Sequence, residues 1–394
     1  MSHGGGYRNY SARARRIARV LDLVSLPLLP LLRRLAPRGA SASRPRSILV
    51  VRLDHLGDVL MSTPAIAALR NAFPESRIEV LVAPWGRAAV EGNPDIDEIL
   101  TASAPWYDPR MPQFPRPSSA FRLARELNLR GYDWAFDFRG DPRVIVGHLL
   151  PASRRRFGFA RLGFERLLTD SIPYERRRSM LDLCLDLTAR AGATATGRRP
   201  VFRVSEEDRA AAWRILKDAG LPVDTPPVVV APSANRAPAR WTAAGFAGVS
   251  DGLMALGHPV VLVGRAEDAP VNTEVLALTR GHAIDLTGQT SLRQLAAILS
   301  RAALLVGNDS GPIHLAAAVD CPTVAVFGPT DPEITFPYED GNRFVSVRSH
   351  SDHPRPCLNP RCFSDHGLPA LASAVVFDAA LRVLAVRTGE RVEP

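Results

Sequence analysis

Lysine is almost absent from this chain of 394 residues: Lys217 stands alone against 48 arginines, so a bound anion must be met by arginine or by backbone amides. Cysteine is scarce as well. Cys184, Cys321, Cys357 and Cys362 are too few and too scattered for a disulfide scaffold, and none forms a CxxC pair, which fits a reducing compartment. Cys357 and Cys362, with His350, His353 and His366 close in sequence, read either as a metal cluster or as a plain surface loop; their spacing matches no standard zinc pattern. The apolar stretch 20–32 has only 13 residues, is broken by Pro27 and Pro30 and contains Asp22, so it is too short to span a bilayer. No GxGxxG fingerprint follows the first predicted strand, which disfavours a dinucleotide.

What is present is 46% hydrophobic and 23% charged residues, enough for a sizeable core and two domains. Charge is unevenly placed. Residues 1–47 hold ten arginines and one acid, Asp22, so this arm carries the whole net charge of +9 and the remaining chain is formally neutral. A body with no basic excess argues against nucleic acid. Within the arm, Ile17, Val20, Leu21, Leu23 and Val24 recur among the arginines, as in an amphipathic segment lying on an anionic membrane. Two other readings compete. A cleaved signal peptide is suggested by Ala40, Ser41 and Ala42, although Arg33 and Arg34 are badly placed for export. The alternative is a soluble helix packed on the body.

From Ile48 onward, short β-branched runs alternate with helical stretches, the pattern of parallel sheets with crossover helices. The first half predicts strands at 48–53, 78–83 and 132–138. Its helices are expected at 64–73, capped by Thr63 with Pro64 in the first turn, at 118–129 and at 180–191. The proline-rich stretch 105–117 reads as a loop. The second half predicts strands at 228–231, 260–263, 304–307 and 323–327, and helices at 242–256, 292–302 and 312–319. Three prolines between 221 and 227 mark a linker. The expected order is therefore a basic arm (1–47), an N-terminal Rossmann-like domain (48–220), the linker (221–227), a C-terminal Rossmann-like domain (228–368) and a C-terminal helix (369–394). Ligands in such sheets bind beyond the carboxyl ends of the strands.

Five loops carry candidate chemistry. After the first strand, Gly57 permits close backbone approach and Asp58 can take a proton from an attacking hydroxyl; capping the following helix is the bland alternative for Asp58. After the strand ending at Gly307, Ser310 and Gly311 expose amides at the positive end of a helix, an arrangement that binds phosphate. Asp309 there suits a sugar or ribose hydroxyl, and His314 reads either as a phosphate donor or as a hydrogen-bonded structural residue. Thr330, in the loop after 323–327, is a hydroxyl donor or a turn residue. Arg236 and Arg240, between the strand at 228 and the helix at 242, suit a diphosphate or are simply solvated. Glu267 could hold ribose hydroxyls or begin a helix.

These residues carry a resemblance. The run ILVVRLDHLGDVLMSTPAIAALR at 48–70, Asn93-Pro94-Asp95 with Ile96-Asp97, the pair Arg240-Trp241, NDSGPIHLAAA from Asn308 and TVAVFGPTDP from Thr323 follow one another as in a known family. Between residues 48 and 337 the chain resembles glycosyltransferase family 9, which includes the lipopolysaccharide heptosyltransferases. The resemblance implies an α/β GT-B fold: two Rossmann-like domains facing a central cleft, the acceptor on the N-terminal one and the donor nucleotide on the C-terminal one. It implies inversion and no metal or other cofactor. It carries the catalytic aspartate onto Asp58, and the diphosphate-binding backbone and donor-contacting aspartate onto Asp309, Ser310 and Gly311, with His314 in the matching position. A lysine common two residues before the tryptophan is Ala239 here, so that contact is absent or has moved to Arg240 or Arg236.

The reaction so implied moves a sugar, heptose from ADP-heptose, onto a lipopolysaccharide core or related cell-envelope glycan. The implied partners are a nucleotide-sugar donor and a lipid-linked acceptor; residues 1–47, which lie outside the resemblance, add by their charge an anionic membrane surface, and the protein is expected to be cytoplasmic and peripheral on the inner face of the cytoplasmic membrane. A GT-B nucleotide-sugar epimerase or hydrolase, and a membrane-tethered non-catalytic glycan-binding module, are the alternatives.

Overall fold

The computed structural model describes residues 43–103, 117–161, 163–222, 225–351, 356–357 and 367–388. Most of the arm, most of the 105–117 loop, part of the 221–227 linker, and His353, Cys362 and His366 lie outside the described residues. The chain divides into two compact units, residues 1–198 and 199–394.

The first unit is built on a six-stranded sheet: β1 (Ser47–Arg52), β2 (Arg77–Val82), β3 (Glu98–Thr101), β4 (Tyr132–Asp137), β5 (Ser153–Ala160) and β6 (Asp170–Pro173), in the order β3-β2-β1-β4-β5-β6. Every pairing is parallel. Ile48, Leu49, Val50 and Val51 are buried on both faces of β1, which is why the strand reads as a continuous apolar run rather than an alternating one. Its helices of eight residues or more are α1 (Leu56–Ala72), α2 (Pro117–Arg130) and α3 (Met180–Arg190).

Helix α1 corrects an expectation. It starts at Leu56, eight residues before the predicted start, and Thr63 and Pro64 lie inside it. Proline removes the N–H that would bond to Leu60, and the Thr63 hydroxyl donates to that carbonyl instead at 2.8 Å, so the turn continues without an orphaned acceptor.

The second unit repeats the plan with β7 (Val228–Ala231), β8 (Val260–Leu262), β9 (Ile284–Asp285), β10 (Leu304–Asn308), β11 (Thr323–Phe327) and β12 (Phe344–Arg348), in the order β12-β11-β10-β7-β8-β9, again all parallel. Its helices of that length are α4 (Glu206–Asp218), α5 (Ala243–Ala255), α6 (Ala269–Leu278), α7 (Leu292–Leu299), α8 (Gly311–Ala318) and α9 (Ser373–Thr388). The boundary between the units falls near residue 198, earlier than the proline-rich stretch at 221–227 suggested. Helix α4, which the sequence reading missed, is the reason: Arg293 of α7 grips Asp208 at 3.0 and 2.5 Å, and Phe202 N–H donates to Ala318 O at 3.2 Å. The C-terminal helix belongs to the same body, since Val376, Ala379, Ala380 and Val383 of α9 enter the core of this sheet.

In both sheets the crossovers run one way from the first strand and then the other. The order therefore reverses between β1 and β4, and between β7 and β10. Neighbouring loops diverge at such a point and leave a crevice at the carboxyl ends of the strands.

Candidate active site

In the first unit the reversal brings together the ends of β1 and β4. Arg52, the last residue of β1, has no exposed surface, and its guanidinium donates to Phe138 O just beyond β4. Its Nη2 lies 3.1 Å from Asp54 Oδ2 and 3.2 Å from Asp58 Oδ1. Arg139, in the loop after β4, approaches Asp54 Oδ2 from the other side at 2.8 Å. Burial alone would push the Arg52 guanidinium down, but Asp54 and Asp58 outweigh it and its pKa is raised, so it stays charged. Asp54 is sealed at 1% side-chain exposure, whereas Asp58 keeps 25%.

Asp58 stands in the first turn of α1, after the buried Gly57, where a carboxylate also meets the positive end of the helix dipole. It is not the cap: the N-cap position is His55, which makes no side-chain cap bond. The loop carrying Arg139 is tied down by Asp137, whose buried carboxylate accepts the N–H groups of Arg139, Gly140 and Asp141 at 2.9, 3.0 and 3.0 Å. Burial pushes Asp137 up to about 7 against those bonds. Gly140 adopts φ +75°, and a Cβ there would lie 2.9 Å from the Arg161 side chain, so this tight turn requires glycine.

In the second unit the reversal joins the ends of β7 and β10. Asn308, fully buried at the end of β10, holds the loop after β7 through both ends of its amide: Nδ2 donates to Pro232 O at 2.5 Å and Oδ1 accepts from Trp241 N–H at 3.0 Å. Trp241 is itself buried, donates to Leu371 O at 3.1 Å and packs edge-on against Phe246. Between these anchors, Arg236 and Arg240 flank a short turn at Ala237–Ala239, and Arg240 Nε donates to Ala234 O at 2.8 Å. Ser310 is extended and Gly311 begins α8, whose first amides have no partner within the helix itself.

Asp309 lies beside Thr335, whose hydroxyl approaches its Oδ2 at 3.5 Å. His314 turns inward, with Nδ1 2.5 Å from the Tyr338 hydroxyl. Burial lowers the His314 pKa against the pull of Asp309, so the imidazole is neutral at neutral pH, and burial keeps the Tyr338 phenol protonated. Thr330 Oγ1 and Ser233 Oγ, in the loops after β11 and β7, are buried atoms with no hydrogen-bond partner in the structure. Glu267 sits in an exposed turn at Ala266–Asp268, after β8.

The site residues named from sequence thus fall into two groups: Gly57 and Asp58 in the first unit, and Arg236, Arg240, Glu267, Asp309, Ser310, Gly311, His314 and Thr330 in the second. The sequence reading missed Arg52, Asp54, Arg139, Asn308 and Tyr338. An arginine closing an otherwise apolar strand and an asparagine closing another were the available signals. Among the described residues, no three His, Cys, Asp or Glu side chains are grouped to hold a metal ion.

Glycosyltransferase family 9 (heptosyltransferase) is the family whose sequence profile matches residues 120–364. The chain is similar to lipopolysaccharide heptosyltransferase 2 of Salmonella typhimurium, 27% identical over 324 residues that make up 76% of this chain and 88% of that protein. Of the solved structures, the family 9 glycosyl transferase from Veillonella parvula has a TM-score of 0.77 at 25% identity, covering 89% of this chain and 99% of that one. The ADP-heptose lipopolysaccharide heptosyltransferase II of E. coli has a TM-score of 0.71 at 22% identity, covering 87% and 99%.

Replacing Asn308 by alanine leaves the Pro232 carbonyl and the Trp241 amide unpaired, each at a cost of about 1–3 kcal/mol. The loop between them should then open more often, and trypsin should cut after Arg236 or Arg240 at least about tenfold faster than in the parent chain. Unchanged cleavage would show that Asn308 does not hold this loop.

Proposed function

The chain belongs to glycosyltransferase family 9, and from that premise we propose that it is an inverting, metal-independent transferase that moves heptose from ADP-heptose onto a lipopolysaccharide core or a related cell-envelope glycan. Its two Rossmann-like units are those of the GT-B fold. The observation that carries the reading is Asp58: a carboxylate at the strand reversal of the first unit, held through one oxygen by Arg52 and still partly open to solvent. In the proposed step Asp58 takes the proton of the acceptor hydroxyl. That oxygen bonds to the anomeric carbon as the bond from this carbon to the diphosphate oxygen breaks, and the nucleoside diphosphate leaves with the electron pair.

Charge grows on the leaving diphosphate. The first amides of α8 at Ser310 and Gly311, together with Arg240 and Arg236, are suited to stabilise it without reorganisation. A chain with one lysine has to use arginine for this, and the guanidinium fork matches phosphate in two places at once. The unpartnered hydroxyl of Thr330 supports a polar donor contact nearby. Asp309 and Glu267 are assigned to sugar or ribose hydroxyls, because a carboxylate accepts from hydroxyls and repels phosphate. His314, neutral and bonded through Nδ1, is left with Nε2 for a donor-side contact. The heptose and ADP of the proposal follow the names of the Salmonella and E. coli relatives.

Residues 1–47 are assigned to the anionic inner face of the cytoplasmic membrane, where a lipid-linked acceptor would be met. The support is the sequence charge alone, all of the net +9 lying in that arm. Among the described residues no helix is long and apolar enough to cross a membrane.

Asp58→Asn should retain ADP binding and lose transfer by about 100-fold or more, measured as ADP release from ADP-heptose in the presence of a core acceptor. Activity within threefold of the parent would remove Asp58 from the mechanism. ADP release that does not depend on acceptor would favour a hydrolase.

Removing residues 1–42 keeps the bonds from Arg46 N–H to Asp133 and from Ser76 to Pro45 O, so the body should remain folded. The truncated chain should no longer float with anionic liposomes, whereas the full chain floats at low salt and less at high salt. Equal flotation of the two would contradict the assignment of the arm.

A further inference from the structure

We infer that Arg52 and Asp54 are positioning residues for Asp58, one buried guanidinium being shared between two carboxylates so that Asp58 is oriented without becoming its sole counter-ion. The inference rests on the reading of Asp58 as the base. A carboxylate paired alone with a buried guanidinium is a poor base, because the pairing favours its charged form. Here the same Nη2 is 3.1 Å from Asp54 and 3.2 Å from Asp58, and neither approach meets hydrogen-bond geometry, so the coupling is through charge.

Asp54 is in turn shared. Arg139 reaches the same Oδ2 at 2.8 Å, giving a row of alternating charges: Arg139, Asp54, Arg52, Asp58. Arg52 and Asp54 are sealed in the interior, and Asp58 and Arg139 reach solvent, at 25% and 27% side-chain exposure. The row therefore couples the charge of Asp58 to that of Arg139 through two buried groups. Weakening Asp54 strengthens the hold of Arg52 on Asp58; weakening Arg139 lets Asp54 take more of Arg52 and loosens that hold.

Other titratable groups face the same place. His55 precedes α1. Asp137 lies at the end of β4, where burial pushes its carboxyl up to about 7, and it acts on the Cys184 thiol, as do Arg52, Asp54 and Asp58. Cys184 comes from α3, and burial pushes its thiol up to about 12, so it stays uncharged. Because Asp137 could mask a kinetic pH limb, the primary readout must belong to Asp58 itself.

The experiment uses the full-length chain labelled at the aspartate carboxyl carbon, with the Asp58 resonance assigned by its absence from Asp58→Asn. Its titration midpoint should fall in Asp54→Asn and rise in Arg139→Gln, each by about half a pH unit or more. The acid limb of kcat/KM should move in the same two directions. A loss of packing would not produce shifts of opposite sign. Midpoints that stay put, or that move the same way in both variants, overturn the inference and leave the base reading intact, as does an acid limb that ignores the carboxyl shifts. Full activity in Asp58→Asn overturns the base reading, and the positioning role with it. Should Asp54→Asn fail to fold, Arg139→Gln, altered at a partly exposed side chain, decides the matter alone: no upward shift overturns the proposal.

Discussion

Parallel strands cannot be joined by tight turns, so each connection in these two sheets must cross over a face, and a sheet that grows in both directions from its first strand must reverse once. That reversal is where the proposed site lies in each unit. In the first unit it falls between β1 and β4 and brings Arg52 to Phe138 and Asp54 to Arg139. In the second it falls between β7 and β10 and brings the 232–241 loop to Asn308 and the start of α8. The same strand order, used twice, gives two polar crevices on two apolar scaffolds.

Each crevice depends on one buried polar side chain. Arg52 would be strongly destabilising without counter-charges, since an unpaired ion in an apolar interior is among the costliest things a fold can hold. Its pairing with Asp54 and Asp58 offsets that cost, and the same pairing holds the proposed base. Asn308 plays the neutral counterpart. Its amide occupies one donor and one acceptor of the backbone and so gives a proline-rich loop a fixed path toward the helix that follows. Trp241 extends that anchor into the core: a Cβ on Gly245 would lie 2.3 Å from its ring, so the glycine is what allows helix and indole to pack.

Central strands were legible because burial on both faces writes itself as runs of valine, leucine and isoleucine, and the predicted bounds of β1, β4, β7 and β11 fall within a residue or so of the observed ones. The edge strands were not. β9 has two residues and β6 reads Asp-Ser-Ile-Pro, too little pattern to register. β5 opens with Ser153 and three arginines; it is paired on both sides, with β4 and β6, and Arg155 lies 4.6 Å over the ring of its cross-strand neighbour Trp134, a contact that no local pattern displays. Helix α1 was started too late because Pro64 looked like a first-turn proline, and only the Thr63 bond to Leu60 explains its place in the interior. Site loops with their own motif, at Asp58 and Asp309, were visible. Arg139, 85 positions from Asp54 in sequence, was not, since only the β1–β4 pairing makes them neighbours.

The proposed chemistry has one requirement: that a carboxylate activate the acceptor for a single displacement at the anomeric carbon. A single displacement inverts the configuration there, whereas a double displacement through a covalent intermediate, or front-face return, keeps it. The most direct test is the anomeric configuration of the first-formed product, read by proton NMR during turnover of ADP-heptose of known configuration with a core acceptor. The account predicts the opposite configuration to that of the donor. A product that retains the donor configuration would contradict it.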